Sequence, residues 1–141
     1  MIKIEPEAWR VMVDHAQALY PNECCGVMLG SASGGLKTVF SALALENKYQ
    51  GKQEDRYEID PADLMRADRQ AREQGHELIG IFHSHPDCDA YFSKTDLENS
   101  CPWYSFVVLS VKNGKFDHAN SFLPDADQTA AEKEELQWPK S

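Results

Sequence analysis

The chain has 141 residues, 42% hydrophobic and 26% charged, with a formal net charge of −9. That length suits one domain with a real core and is short for two, and the composition excludes extensive disorder. The acidic balance disfavours a phosphate backbone, and no run approaches the roughly 18 apolar residues of a membrane span, so neither nucleic acid nor a membrane is an expected partner.

Residues 1–6 lack the apolar region of a signal peptide and read as a strand running into a helix. Over 6–20, Trp9, Met12, Val13, Ala16, Leu19 and Tyr20 recur at three-to-four spacing, with Pro6 in the first turn and Pro21 as a stop, which predicts an amphipathic helix. Residues 23–30 are a short apolar run that reads as a strand. A turn at 31–35 returns the chain into a second strand over 37–45. Residues 46–56 are polar and expected to loop, and Tyr57-Glu58-Ile59 reads as a short strand. Asp60-Pro61 opens a second helix, with Leu64, Ala67 and Ala71 inward and Gly75 at its end. A buried strand over 78–82 follows, then a loop and a short helix over 93–99. Runs at 105–111 and 116–122 flank Asn113-Gly114, a strong hairpin signal. The acidic tail, 124–141, is expected as a loose helix reaching Leu136 and Trp138. The fold class is α+β: one domain over 1–123 with a mixed sheet flanked by helices.

The chemistry concentrates in His83-Ser84-His85-Pro86, Ser93 and Asp96. Residues two apart on an extended chain point to one side, so His83 and His85 can present both imidazoles to one ion. Ser93-Lys94-Thr95-Asp96 has the form of a capping box, which places Asp96 in the first turn of a helix. Two imidazoles and a carboxylate suit zinc with a fourth position open to water, a hydrolytic arrangement. Taken singly, Asp96 is a first-turn carboxylate, Ser93 an N-cap and Glu23 a solvated loop residue; their joint register makes the metal reading.

Other metal patterns fit worse. His83-x-His85-x-Asp87 begins like a metallo-β-lactamase motif, but Cys88 stands where the next histidine belongs. A zinc deaminase needs His-x-Glu and Pro-Cys-x-x-Cys, which Pro86-Asp87-Cys88-Asp89 does not supply. His15, His76 and His118 are expected in surface or core roles. Cysteines 24, 25, 88 and 101 show no paired spacing, so reduced thiols and a cytoplasmic setting are expected. Cys24 and Cys25 read as packing residues, and Cys88 as a bystander thiol that lies close enough to the metal loop to approach the zinc as a regulatory thiolate.

With Glu23, His83, His85, Ser93 and Asp96 aligned, the chain resembles the JAMM (JAB/MPN) zinc metalloprotease family. That signature is an upstream Glu, then His-Ser/Thr-His-Pro, a Ser after a seven-residue gap and an Asp after two more residues; here 86–92 and 94–95 fill the gaps. Pro21-x-Glu23-x-Cys25-Gly26 and Arg56-Tyr57-Glu58-Ile59-Asp60-Pro61 are similar to the small bacterial branch. Phe92 departs from the pattern, since many relatives carry proline there, which bears on the substrate groove and leaves every chemical group in place.

The resemblance implies a cytidine-deaminase-like JAB/MPN fold with one Zn2+ per chain held by His83, His85 and Asp96. Zinc lowers the pKa of a bound water from about 15.7 to about 7. Glu23 would take the water's proton and pass it to the leaving amine, and Ser93 would donate to the tetrahedral oxyanion. The branch implies a ubiquitin-like (β-grasp) sulfur-carrier protein with a Gly-Gly tail as substrate, relieved of a cysteine or short extension. Two alternatives stand beside it: a non-catalytic MPN-type protein-binding scaffold, and a zinc hydrolase of small peptide or amino-acid conjugates. The sequence leaves the oligomeric state open, a homodimer included.

Overall fold

In a computed structural model, residues 1–139 are described, and 140 and 141, the last of the expected tail, lie outside the described residues. Eight strands and three helices follow the order β1 (Ile2–Ile4), α1 (Pro6–Leu19), β2 (Cys25–Ser33), β3 (Leu36–Leu45), α2 (Pro61–Glu73), β4 (Glu77–Pro86), α3 (Lys94–Glu98), β5 (Ser105–Lys112), β6 (Lys115–Pro124), β7 (Ala131–Glu134) and β8 (Leu136–Gln137). They form an α+β fold around one mixed sheet ordered β7-β6-β5-β4-β2-β3-β1-β8.

Each face of the sheet buries one helix. The α1 stripe of Ala8, Trp9, Met12 and Ala16 packs on Ile4, Met28, Val39, Phe82 and Leu109. On the other face, Ala67 and Ala71 of α2 cover Val27, Leu29, Leu78, Ile81 and Phe106. The predicted turn chemistry holds. Pro6 and Pro61 sit in the first turns of their helices, Asp60 caps α2 by accepting from Ala62 N at 2.9 Å, and Asn113 and Gly114 both take positive φ between β5 and β6.

The strand that carries the histidines is longer than the apolar run predicts. β4 continues through His83, Ser84, His85 and Pro86 because β5 pairs with it in parallel as far as Pro86↔Val111. Against β2, its register shifts between Met28↔Gly80 and Leu29↔Leu78, so Ile79 is an extra residue. Residues 81, 83 and 85 therefore face the α2 side, and 82 and 84 face α1.

Two expectations are corrected. Tyr57, Glu58 and Ile59 join no strand of the sheet; they run extended beside 47–48, with Lys48 N donating to Glu58 O at 2.8 Å. The tail is not a loose helix. Its Ala/Glu composition favours helix locally, but β7 pairs antiparallel with β6 and β8 pairs parallel with β1, and those ladders override propensity. Only Glu135 separates β7 from β8, so the tail crosses from one edge of a strongly curled sheet to the other.

Glu134 secures that crossing. Its buried carboxylate accepts from Ser105 Oγ of β5 at 2.7 Å and Ser121 Oγ of β6 at 3.0 Å, and pairs with Lys37 Nζ of β3 at 3.7 Å. Removing it takes the acceptor from both hydroxyls and the countercharge from Lys37, whose Nζ keeps its bond to Ser105 Oγ at 2.6 Å. Glu134→Ala is therefore expected to lower unfolding free energy by roughly 2–3 kcal/mol, read as a reduced urea midpoint at an unchanged slope.

Candidate metal centre

The site is assembled by the antiparallel pairing of β2 with β4. Its register sets Cys25 opposite His83. The pairing continues past the last ladder residue through Ser84: Cys24 N donates to Ser84 Oγ at 2.8 Å, and Ser84 N donates to Cys24 O at 3.3 Å. Continuing that register sets Glu23 opposite His85, although sixty residues separate Glu23 from His83. The serine between the two histidines is thus the bolt that holds the Glu23 strand in place.

His83 and His85 extend from one face of β4, with their Nε2 atoms 3.3 Å apart. Asp87 takes a φ of 57° and turns the chain out of the strand. The chain then returns to α3, where the predicted capping box is present: Asp96 N donates to Ser93 Oγ at 2.9 Å and Ser93 N donates to Asp96 Oδ2 at 3.0 Å. The same Oδ2 lies 3.2 Å from His83 Nε2 and 3.1 Å from His85 Nε2. His83, His85 and Asp96 are all buried and form a candidate metal-holding group.

The donor set fits zinc. Ligands about 2.0–2.1 Å from a tetrahedral ion stand about 3.3–3.4 Å from one another, close to the separations here. The tautomer fits as well. His85 Nδ1 lies 3.0 Å from Asp89 O, an acceptor only, so Nδ1 carries the proton and Nε2 presents a lone pair. Lone pairs converging on one buried point repel unless a cation lies between them. Burial lowers the pKa of His83, partly offset by Asp96. Burial alone would raise Asp96, but in the metal-free site a proton shared with the facing His83 and His85 imidazoles more than offsets it and holds the carboxyl well below the usual range.

Glu23 lines a small cavity of about 80 Å³ together with His85, Ser93, Cys88 and Tyr91. The residue is only 4% exposed, and its Oε1 has no hydrogen-bond partner among the described residues. Burial first, then the charges of Asp96 and Asp55, push its pKa up to about 9. Its main chain is fixed on both sides: Glu23 N donates to Gln53 O at 2.7 Å, and Glu23 O accepts from Asn47 Nδ2 at 3.0 Å. Ser93 Oγ accepts from Asp96 N, and its own proton has no acceptor among the described residues.

Several supporting residues carry no sequence signal. Asn47 is buried and its side chain makes four hydrogen bonds: its Nδ2 donates to Glu23 O and Arg56 O, and its Oδ1 accepts from Tyr49 N and Glu58 N. Tyr57 stacks on His83 at 4.6 Å between ring centroids, and Tyr91 packs edge-on against His85 at 5.0 Å. His118 lies outside the metal group; its Nε2 accepts from Ala90 N at 3.0 Å and steadies the loop before α3. His15 faces Leu45 O, and His76 stacks on Phe40. All four cysteines are free, with Cys24 and Cys25 buried and their thiols pushed up to about 12, chiefly by burial.

Fold and centre together define a JAB-type α+β protein with an open candidate metal site. The chain belongs to the prokaryotic homologs of the JAB domain, the JAB/JAMM family, which it matches over residues 5–123. It is 30% identical over 94 residues to a desampylase of Pyrococcus furiosus, covering 67% of this chain and 63% of that protein. It is 32% identical over 91 residues to a desampylase of Haloferax volcanii, covering 64% and 63%. The matched part is thus less than two thirds of each desampylase. Among solved structures, a protein from Desulfitobacterium hafniense superposes with a TM-score of 0.85 at 28% identity, covering 100% of this chain and 94% of that one. A protein from Salinibacter ruber gives 0.72 at 30% identity, covering 97% and 91%. Among the described residues, no helix is long and apolar enough to cross a membrane.

A direct consequence concerns protons. With its pKa at about 9, Glu23 is protonated at pH 7.5 in metal-free protein, and a nearby dication favours the charged form. Zinc binding is expected to release about one proton more from wild type than from Glu23→Gln. Calorimetry in buffers of different ionisation enthalpy counts the difference, and equal release would refute the coupling.

Proposed function

We propose that this chain is a zinc-dependent metallopeptidase hydrolysing the amide bond after the C-terminal Gly-Gly of a ubiquitin-like sulfur-carrier protein. The observation that carries the reading is Glu23 Oε1, a buried carboxylate oxygen without a partner, sharing a small cavity with a metal-ligand candidate and Ser93. A structural carboxylate at that depth would be paired; a general base keeps a vacancy for the proton it takes. The intact ligand set also favours an enzyme over a protein-binding scaffold.

Zinc held by His83, His85 and Asp96 would supply an acidified water and an electrophile for the carbonyl. Glu23 accepts a proton from the attacking water and delivers it to the leaving nitrogen, so the amide becomes a carboxylate and a free amine. Ser93 Oγ, with its proton unengaged, donates to the oxyanion that develops on the carbonyl. Asp96 is oriented by the Ser93 main chain, and His85 by Asp89 O.

The acyl side is suited to an extended tail. A groove of about 490 Å³ is lined by Tyr49, Arg56, Tyr57, Ile59, Leu64 and Ile81, and the Tyr57 ring, which stacks on His83, stands between it and the metal group. Glu58 N and O are both engaged by residues 47–48, while the main chains of Tyr57 and Ile59 make no backbone hydrogen bond among the described residues. Their alternation turns them toward the groove, an open edge on which a Gly-Gly tail adds as a strand. Tyr57 and Tyr91 against the two imidazoles narrow the approach and favour glycine over side chains. The likeness to desampylases supports a ubiquitin-like small protein as the acyl partner.

Mass spectrometry of a Gly-Gly-tailed carrier bearing a short extension tests the reading. Zinc-loaded wild type is expected to remove the extension. Ser93→Ala should lose about 100-fold in turnover and Glu23→Gln about 1,000-fold or more, both retaining zinc. A tail changed from Gly-Gly to Ala-Ala should be cut at least about tenfold more slowly. Equal cutting of both tails would refute the narrow approach, and undiminished Glu23→Gln activity would refute the base.

A further inference from the structure

We infer that the leaving-group side of this site selects a cationic partner: an amine whose neighbouring residues carry lysine or arginine, and not one bearing a free carboxylate beside the scissile bond. The inference rests on the metallopeptidase reading above and names the other half of its substrate. The group that returns the proton must lie within hydrogen-bond reach of the leaving nitrogen, so the leaving side is the side of Glu23. The cavity into which Glu23 faces is also lined by Glu54 and Asp55, and it has no lysine or arginine in its lining. Both outer carboxylates are exposed and stand at its mouth.

Glu54 has no ion pair among the described residues. Asp55 has one weak exposed contact, to Arg56 Nε at 3.8 Å, and Arg56 turns to the ring of Tyr49 and lines the neighbouring groove instead. On the loop leaving β4, Asp87 accepts from the neutral Tyr20 hydroxyl and keeps its negative charge, and Asp89 takes up Lys112, so that loop offers no free cation to offset Glu54 and Asp55. The partnerless Glu23 Oε1 marks where the reacting nitrogen arrives, and Glu54 and Asp55 set the potential that nitrogen's substituents meet. A released cysteine would bring its carboxylate against that potential. A lysine-bearing peptide or protein segment would be drawn in by it.

The test uses one Gly-Gly-tailed carrier with C-terminally amidated extensions differing only in their first residue, Lys, Ala or Glu, plus a free-acid Gly-Gly-Cys. Zinc-loaded wild type is expected to favour Lys over Glu by about tenfold or more in kcat/KM, mostly through KM, with the ratio shrinking as salt rises from 50 to about 500 mM. The free-acid cysteine should fall with Glu. In a Glu54→Gln/Asp55→Asn variant the Lys-to-Glu ratio should collapse to within about twofold. Equal cleavage of Lys, Ala and Glu would overturn the inference and leave the metallopeptidase standing. A wild-type preference that survives unchanged in the double variant would remove it from Glu54 and Asp55. No cleavage of any extension would overturn the metallopeptidase reading, and this inference with it.

Discussion

The pairing of β2 with β4 is the constraint on which everything else depends. Sequence separation places Glu23 and the two histidines far apart; one antiparallel register places them in one cavity. The last ladder pair, Cys25 with His83, is extended by the two hydrogen bonds between Cys24 and Ser84. A slip by one residue would turn His83 and His85 onto the α1 face, into the packing around Phe82 and Met12. Both faces of β4 are buried, which specifies that register strongly. The same tightness appears at Gly26, where any Cβ would collide with the Phe82 ring and with Leu43 O.

Electrostatically the centre is an unstable arrangement held in place by its surroundings. Two imidazole nitrogens and two carboxylates are gathered in a buried volume that excludes most water. Such a set costs free energy unless a cation completes it, which is the usual condition of a metal site before loading. The supports are correspondingly numerous. Asp89 O orients His85, Ser93 N holds Asp96, Asn47 joins the Glu23 main chain to the Arg56–Glu58 segment, and His118 and Asn120 both bond to Ala90. Each fixes a candidate ligand, Glu23 or an adjoining loop. Burial pushes both carboxylates up; at Glu23 the charges of Asp96 and Asp55 add to it, and at Asp96 the interactions with His83 and His85 outweigh it.

Most of this was legible in the residues, for identifiable reasons. Proline at helix starts, Asn113-Gly114 and the capping box act locally, so three helices and the last hairpin could be read directly. The metal group was legible because His83 and His85 share a strand face and Asp96 follows a serine cap. The tail's Ala/Glu composition favours helix, while its conformation is set by two distant edges, β6 and β1, which no local signal announces. The segment Tyr57–Ile59 has β-branched and aromatic character and packs its side chains on the core, but its main chain bonds to residues 47–48 and joins no ladder of the sheet. Asn47, Tyr91 and the aim of His118 depend on tertiary placement alone. No spacing announces them.

The central claim is that His83, His85 and Asp96 hold a zinc ion with a position left open in front of Glu23. Zinc X-ray absorption on the loaded protein tests it most directly. The account predicts a first shell of two imidazole nitrogens and oxygen donors at about 2.0–2.1 Å, with no sulfur. A sulfur scatterer at about 2.3 Å would put the Cys88 thiolate in the open position and contradict the account.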